Sequence, residues 1–125
     1  PHTSSRRQRQ MCIRDRTTHV LDIGIGKPGS DIPIELFNDG GGLIQRAKTN
    51  SDGRTEAPIL AEAEFKVGKY ALIFSVKNYL KKNHQLVEEP IYDHIKIEFV
   101  ISDQNAHYHV PLLLSPYGYS TYRGS

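Results

Sequence analysis

The densest group of reactive side chains lies near the end of the chain, in His107-Tyr108-His109-Val110-Pro111-Leu112-Leu113-Leu114. On a strand, Tyr108, Val110, Leu112 and Leu114 share the obvious core face, so His107, His109 and Pro111 point the other way. Two histidines, a proline and Leu113 on a non-core face are odd for a solvated surface and imply a site or a subunit contact. A His-x-His pair on one strand face also matches two ligands of a zinc site, with His19 or His94 as a conceivable third. No carboxylate or cysteine stands at a telling spacing, so ordinary surface histidines fit the pair better than a metal centre does. His19, within Thr17-Thr18-His19-Val20-Leu21-Asp22, reads on its own as a structural or surface histidine. Arg54, directly after the Asp52-Gly53 turn, reads as a solvated charge, and Tyr122 and Arg123 as chain-end decoration. A glycine-rich phosphate loop, a G-x-S-x-G elbow and a Cys/His pair are all missing, which leaves nucleophilic catalysis from a known motif unsupported.

The elements that must position these residues are strands. Ile32, Ile34 and Leu36 alternate with Pro33, Glu35 and Phe37; Tyr70, Leu72, Phe74 and Val76 with Ala71, Ile73 and Ser75; and Ile95, Ile97, Phe99 and Ile101 with Lys96, Glu98 and Val100. A period of two marks half-buried strands. Residues 17–22 form a first β-prone run, and residues 107–114 and 119–125 a final pair joined by Ser115-Pro116-Tyr117-Gly118. Turn signals separate them at Gly26-Lys27-Pro28-Gly29, Asn38-Asp39-Gly40-Gly41-Gly42, Asn50-Ser51-Asp52-Gly53 and Ser102-Asp103-Gln104-Asn105. Strands this short and turns this frequent predict an all-β sandwich. Val76, Tyr79 and Leu80, at i, i+3 and i+4, predict one brief helix with Ser75 as N-cap and Asn83 as stop, ending before Glu88-Glu89-Pro90.

At 125 residues the chain fits one domain. Five of its sixteen basic residues, Arg6, Arg7, Arg9, Arg14 and Arg16, lie in residues 1–16, which hold too few apolar side chains to build a core. That basic leader is expected to be disordered and non-native, with the folded domain spanning 17–125. The domain keeps eleven basic against thirteen acidic side chains, a net of −2. Nucleic acid and anionic membrane are therefore poor candidates as partners. No apolar run approaches the roughly 20 residues of a membrane helix. Cys12, the single cysteine, has no partner for an internal disulfide.

Four segments together resemble the transthyretin-related 5-hydroxyisourate hydrolase family: Thr17–Asp22, Thr49-Asn50-Ser51-Asp52-Gly53-Arg54, Tyr108–Pro116, and the chain-ending Tyr122-Arg123-Gly124-Ser125. The resemblance spans residues 17–125, and the terminal tetrapeptide is its most specific part. It implies a transthyretin-like β-sandwich of two four-stranded sheets with one short helix, assembled as a homotetramer whose active sites lie at the dimer-dimer interface. It implies hydrolysis of 5-hydroxyisourate in urate breakdown, with no metal or organic cofactor. The family's functional histidines fall on His19 and His109, its arginine on Arg54 and its tyrosine on Tyr122, while Ser125 brings a hydroxyl and an α-carboxylate. Water must lose a proton near neutral pH in this reaction, and histidine, with a pKa of about 6.5, suits that task. His19 is the expected base and His109 the expected donor to the carbonyl oxygen or departing nitrogen. Arg54 would pair its planar guanidinium with an anionic, urate-like ring.

The alternative on the same fold is a small-ligand carrier without catalysis, like transthyretin. The carrier branch lacks the two histidines, the arginine and the Tyr-Arg-Gly-Ser ending present in this chain. Lacking an apolar signal, the chain is expected in the cytoplasm, while a different native N-terminus would admit the periplasm or peroxisome.

Overall fold

The computed structural model describes residues 16–59, 66–103 and 108–124. Among these, one sheet holds β1 (Arg16–Asp22), β2 (Lys27–Pro28), β7 (Tyr108–Ser115) and β8 (Gly118–Thr121), in the order β2-β1-β7-β8. The other holds β3 (Pro33–Asn38), β4 (Leu43–Lys48), β5 (Gly68–Ser75) and β6 (His94–Ile101), in the order β4-β3-β5-β6. The pairing of β1 with β7 is parallel, and the remaining pairings are antiparallel. Alternation sends Val20, Val110, Leu112 and Leu114 inward from the first sheet to meet Ile34, Leu36, Leu72, Phe74, Ile95 and Ile97 from the second. The expected core face of residues 108–114 is thus the observed one. Pro111, expected outward and open, is buried, because β7 is a central strand flanked by β1 and β8.

β4 was not foreshadowed by the sequence pattern. It is an edge strand whose side chains are all exposed or half-buried, so nothing in it needs to alternate strictly. A register shift between Leu36 and Phe37 further loosens its pairing with β3.

The single helix among the described residues, α1 (Lys77–Asn83), starts one residue later than expected. Ser75 does not cap it, because Ser75 is the last residue of β5 and pairs with His94. Val76 takes the N-cap position without a side-chain cap; its N–H donates to Asp93 O at 3.0 Å and its carbonyl accepts from Leu80 N at 2.9 Å. Asn83 does act as the stop, its Nδ2 donating to Tyr79 O at 2.9 Å. Lys81 and Lys82 in the last turn suit the negative end of the helix dipole. No helix among the described residues is long and apolar enough to cross a membrane.

The helix is held to the first sheet by Asp22, whose side chain is fully buried at the end of β1. One oxygen accepts from the Tyr79 hydroxyl at 2.7 Å and from His84 Nε2 at 2.7 Å; the other accepts from Gly24 N at 2.9 Å. A carboxylate removed from water persists only when its lone pairs are satisfied, and here three donors converge on it. Burial, together with the hydrogen bond to Asp22 and its charge, pushes the Tyr79 pKa well up. Tyr79→Phe removes a buried donor to this carboxylate, and urea unfolding should lose about 1.5–3 kcal/mol at fixed protein concentration. An unchanged unfolding midpoint would show that the carboxylate does not anchor the helix.

Candidate active site

The parallel register of β1 against β7 sets Thr17 opposite His109, Thr18 opposite Val110 and His19 opposite Pro111. Thr18 turns inward and its hydroxyl donates to Val110 O at 2.6 Å. Thr17, His19 and His109 therefore share the outer face. Thr17 Oγ1 lies 2.7 Å from His109 Nδ1, which fixes the rotation of that ring. The His19 and His109 rings sit with centroids 6.4 Å apart and planes tilted by 38°. Two side chains that can take up or give up a proton near neutral pH thus face each other on one surface.

Arg54 reaches His19 through a turn. Asn50 Oδ1 accepts from Asp52 N at 2.9 Å and from Arg54 N at 3.2 Å, and Gly53 N donates to Asn50 O at 2.9 Å. This is the behaviour that makes Asn a turn former. The folded turn then docks on β1: Val20 N donates to Gly53 O at 2.8 Å, and Arg54 forms a β-bridge with His19. Gly53 has φ of +77°, and a Cβ there would stand 2.4 Å from Val20 O, so no other residue fits.

The same turn sets the protonation of His19. Its Nε2 lies 2.9 Å from Asp52 O, and a carbonyl only accepts, so Nε2 carries the proton and Nδ1 the lone pair. Burial and the neighbouring Arg54 charge lower the His19 pKa, and these outweigh the opposing influence of the Asp52 carbonyl and side chain. His19 is thereby held neutral near pH 7 with one nitrogen ready to take a proton.

The chain-end segment completes the face. β8 pairs with β7 from Ser115–Gly118 to Leu112–Thr121, and the same register resumes at the His109–Gly124 bridge. The gap falls beside Pro111, which has no N–H to offer. Gly124 N donates to His109 O at 2.7 Å. A Cβ at Gly124 would come within 2.6 Å of His109 Cδ2, so the absent side chain is what lets the strand lie against the imidazole. Arg123, read above as decoration, places its guanidinium 4.3 Å from the centre of the Tyr108 ring.

The structure thus brings His19, His109 and Arg54 together. Tyr122 lies opposite Pro111 by register and borders a hollow lined also by Ile97, Phe99, Tyr108 and Val110. Ser125 and His107 fall outside the described residues. His94, the alternative third metal ligand, opens β6 in the other sheet beside Asp93, and no group of three or more His, Cys, Asp or Glu is gathered for a metal among the described residues. Sequence reasoning carried Thr17, Asn50, Gly53 and Gly124 within the matching segments but gave them no role at the site. The Asn-Ser-Asp-Gly run was legible as a turn, but not that it delivers a carbonyl to His19.

Residues 16–124 match the model of the HIUase/Transthyretin family. The chain belongs to this family. Among curated members, 5-hydroxyisourate hydrolase 2 of Rhizobium meliloti is 44% identical over 113 residues, covering 87% of this chain and 94% of that protein. The solved 5-hydroxyisourate hydrolase of Klebsiella pneumoniae superposes with a TM-score of 0.76 at 30% identity, covering 90% of this chain and 100% of the other. Transthyretin from Sparus aurata superposes with a TM-score of 0.77 at 23% identity, over 89% of this chain and 97% of the other, and shows the shared fold. The sandwich of two four-stranded sheets is the family's, as the resemblance implied.

The field of Arg54 at His19 gives a direct test. In an NMR titration the His19 imidazole should show its midpoint below 6.5, and Arg54→Gln should move that midpoint upward, because the charge opposing protonation is gone. A midpoint that stays put on neutralising Arg54 would mean burial alone sets it.

Proposed function

We propose that the protein hydrolyses 5-hydroxyisourate to 2-oxo-4-hydroxy-4-carboxy-5-ureidoimidazoline in purine catabolism. The observation that carries this reading is His19, its Nε2 on the Asp52 carbonyl, facing His109 across 6.4 Å with Arg54 paired beside it. The hydrolase names of relatives at 40–46% identity support the same substrate.

In this mechanism His19 Nδ1 takes a proton from water as the oxygen adds to the ring lactam carbonyl. The tetrahedral intermediate collapses, the carbon–nitrogen bond of the six-membered ring breaks, the leaving nitrogen takes a proton from His109, and the proton that His19 took from water passes back to His109 through solvent, so both rings end as they began. General acid–base catalysis of this kind contributes typically 10²–10⁴-fold each way. Arg54 binds the anionic ring by paired hydrogen bonds, and Tyr122 and Ser125 contribute from the chain end. The reaction runs on side chains and water, without a metal or organic cofactor.

The proposal includes assembly as a homotetramer with sites at the dimer-dimer interface. β6 and β8 each end a sheet, which leaves edges able to extend both sheets into a second copy, and the outer face of His109 is only half-buried in the protomer. Light scattering at micromolar concentration should return four times the chain mass.

The test uses 5-hydroxyisourate freshly generated by urate oxidase, followed by ultraviolet absorbance with chelator present. Wild type should shorten its lifetime, whereas His19→Ala, His109→Ala and Arg54→Ala should each lose on the order of 10²-fold or more in kcat/KM. The same decay with and without wild-type protein would sink the hydrolase reading and leave a carrier. A pH profile follows from the sign of the His19 shift. Activity needs the neutral base, so the acid limb of kcat/KM should lie below 6.5. In the complex the anionic ring offsets the Arg54 charge, so the acid limb of kcat should lie higher than that of kcat/KM.

A further inference from the structure

We propose that Arg123 is a positioning residue: its guanidinium, stacked on the Tyr108 ring, pins the chain-end segment so that Gly124 seats against the His109 imidazole. The inference rests on the hydrolase reading only for its effect on turnover; the pinning itself stands on geometry.

Three observations place Arg123 in this role. Residues 121 and 124 share one register against β7, so Arg123 stands opposite Val110 and on the core side of the strand, while Gly124 stands opposite His109 on the outer side. Successive residues of the segment therefore grip opposite faces: Arg123 lies 4.3 Å over Tyr108, and Gly124 donates 2.7 Å to the carbonyl of His109, the next residue along. Second, Pro111 takes a ladder donor away from this stretch, so the segment needs an anchor that a regular strand would not. Third, Tyr108 is a rigid platform. It is 5% exposed, and its hydroxyl accepts from the backbone N–H of both Ser102 and Asp103 at 3.1 Å.

Seating matters because Gly124 touches the ring itself: the position of a Cβ at Gly124 falls 2.6 Å from His109 Cδ2, with Thr17 holding Nδ1 from the other strand. When the segment lifts, one wall of the imidazole's slot goes. Stacking of a cation on an aromatic face shifts such an equilibrium by a factor of about 2 to 30, depending on desolvation.

The experiment measures two things on the full chain for wild type, Arg123→Gln and Arg123→Lys. The first is hydrogen exchange of the Gly124 amide, which reports seating without reference to any activity. Arg123→Gln should speed it by about 2- to 30-fold, and Arg123→Lys, which keeps a cation, should recover most of the protection. The second is the split between kcat and KM on 5-hydroxyisourate. Arg123→Gln should lower kcat by at most that factor with KM within about twofold, while the thermal midpoint holds, since Arg123 is exposed. Unchanged Gly124 exchange in Arg123→Gln overturns the proposal, as does faster exchange with kcat intact, or a loss confined to KM. If wild type does not hydrolyse 5-hydroxyisourate, the functional reading falls, while the exchange data still decide whether Arg123 pins the segment.

Discussion

The parallel pairing of β1 with β7 is the constraint on which the rest of the site depends. These strands are far apart in sequence, yet their register decides which residues meet. Thr17 opposite His109 gives the hydrogen bond that orients one imidazole, and His19 two residues on places the second ring within 6.4 Å. A slip of one residue would turn His19 inward and Val20 outward. The core forbids that, because Val20, Val110 and Leu112 are fully or nearly fully buried against the second sheet. Hydrophobic burial on one face thus fixes the chemistry on the other.

Onto this pair of strands two segments dock, each through a glycine. Gly53 lets the Asn50–Arg54 turn approach Val20 O, and Gly124 lets the chain end approach the His109 ring. In both places the backbone itself does the recognising, by Val20 N to Gly53 O at 2.8 Å and Gly124 N to His109 O at 2.7 Å. Backbone contacts at van der Waals range locate a segment more tightly than long side chains do, since few rotatable bonds intervene. At the opposite end of β1, Asp22 ties the strand to α1 by a buried carboxylate, so both ends of the strand are fixed.

Much of this was legible in the sequence, for physical reasons. Strict alternation identified β3, β5 and β6 because each has one face in the core. β4 escaped because an edge strand with exposed side chains carries no such imprint. The helix was placed correctly by Val76, Tyr79 and Leu80, but its start was misassigned to Ser75, whose capping preference yielded to its place in the β5 ladder. The cluster of Asp22, Tyr79 and His84 could not be read at all, because partners some 60 residues apart leave no local pattern. For the site, the type of residue was readable and the company it keeps was not. His19 looked structural until the turn put Asp52 O on its Nε2, and Arg123 looked ornamental until the register put it over Tyr108.

The alternation that fixes the fold also explains how one sandwich is shared by a solved 5-hydroxyisourate hydrolase and a transthyretin. Along β1 and β7 the residues that hold the protein together, Thr18, Val20, Val110 and Leu112, interleave with Thr17, His19 and His109, which face outward. Substituting an outer residue leaves inner packing untouched, so the two sets can change independently. At 23% identity to a transthyretin the superposition still reaches a TM-score of 0.77, which shows the shared fold. Fold similarity therefore reports on the inner face and is silent about the outer one. The outer face of this chain carries an imidazole kept neutral by burial and an arginine, with its tautomer set by a carbonyl, a second imidazole held by a threonine, and a glycine that makes space beside it.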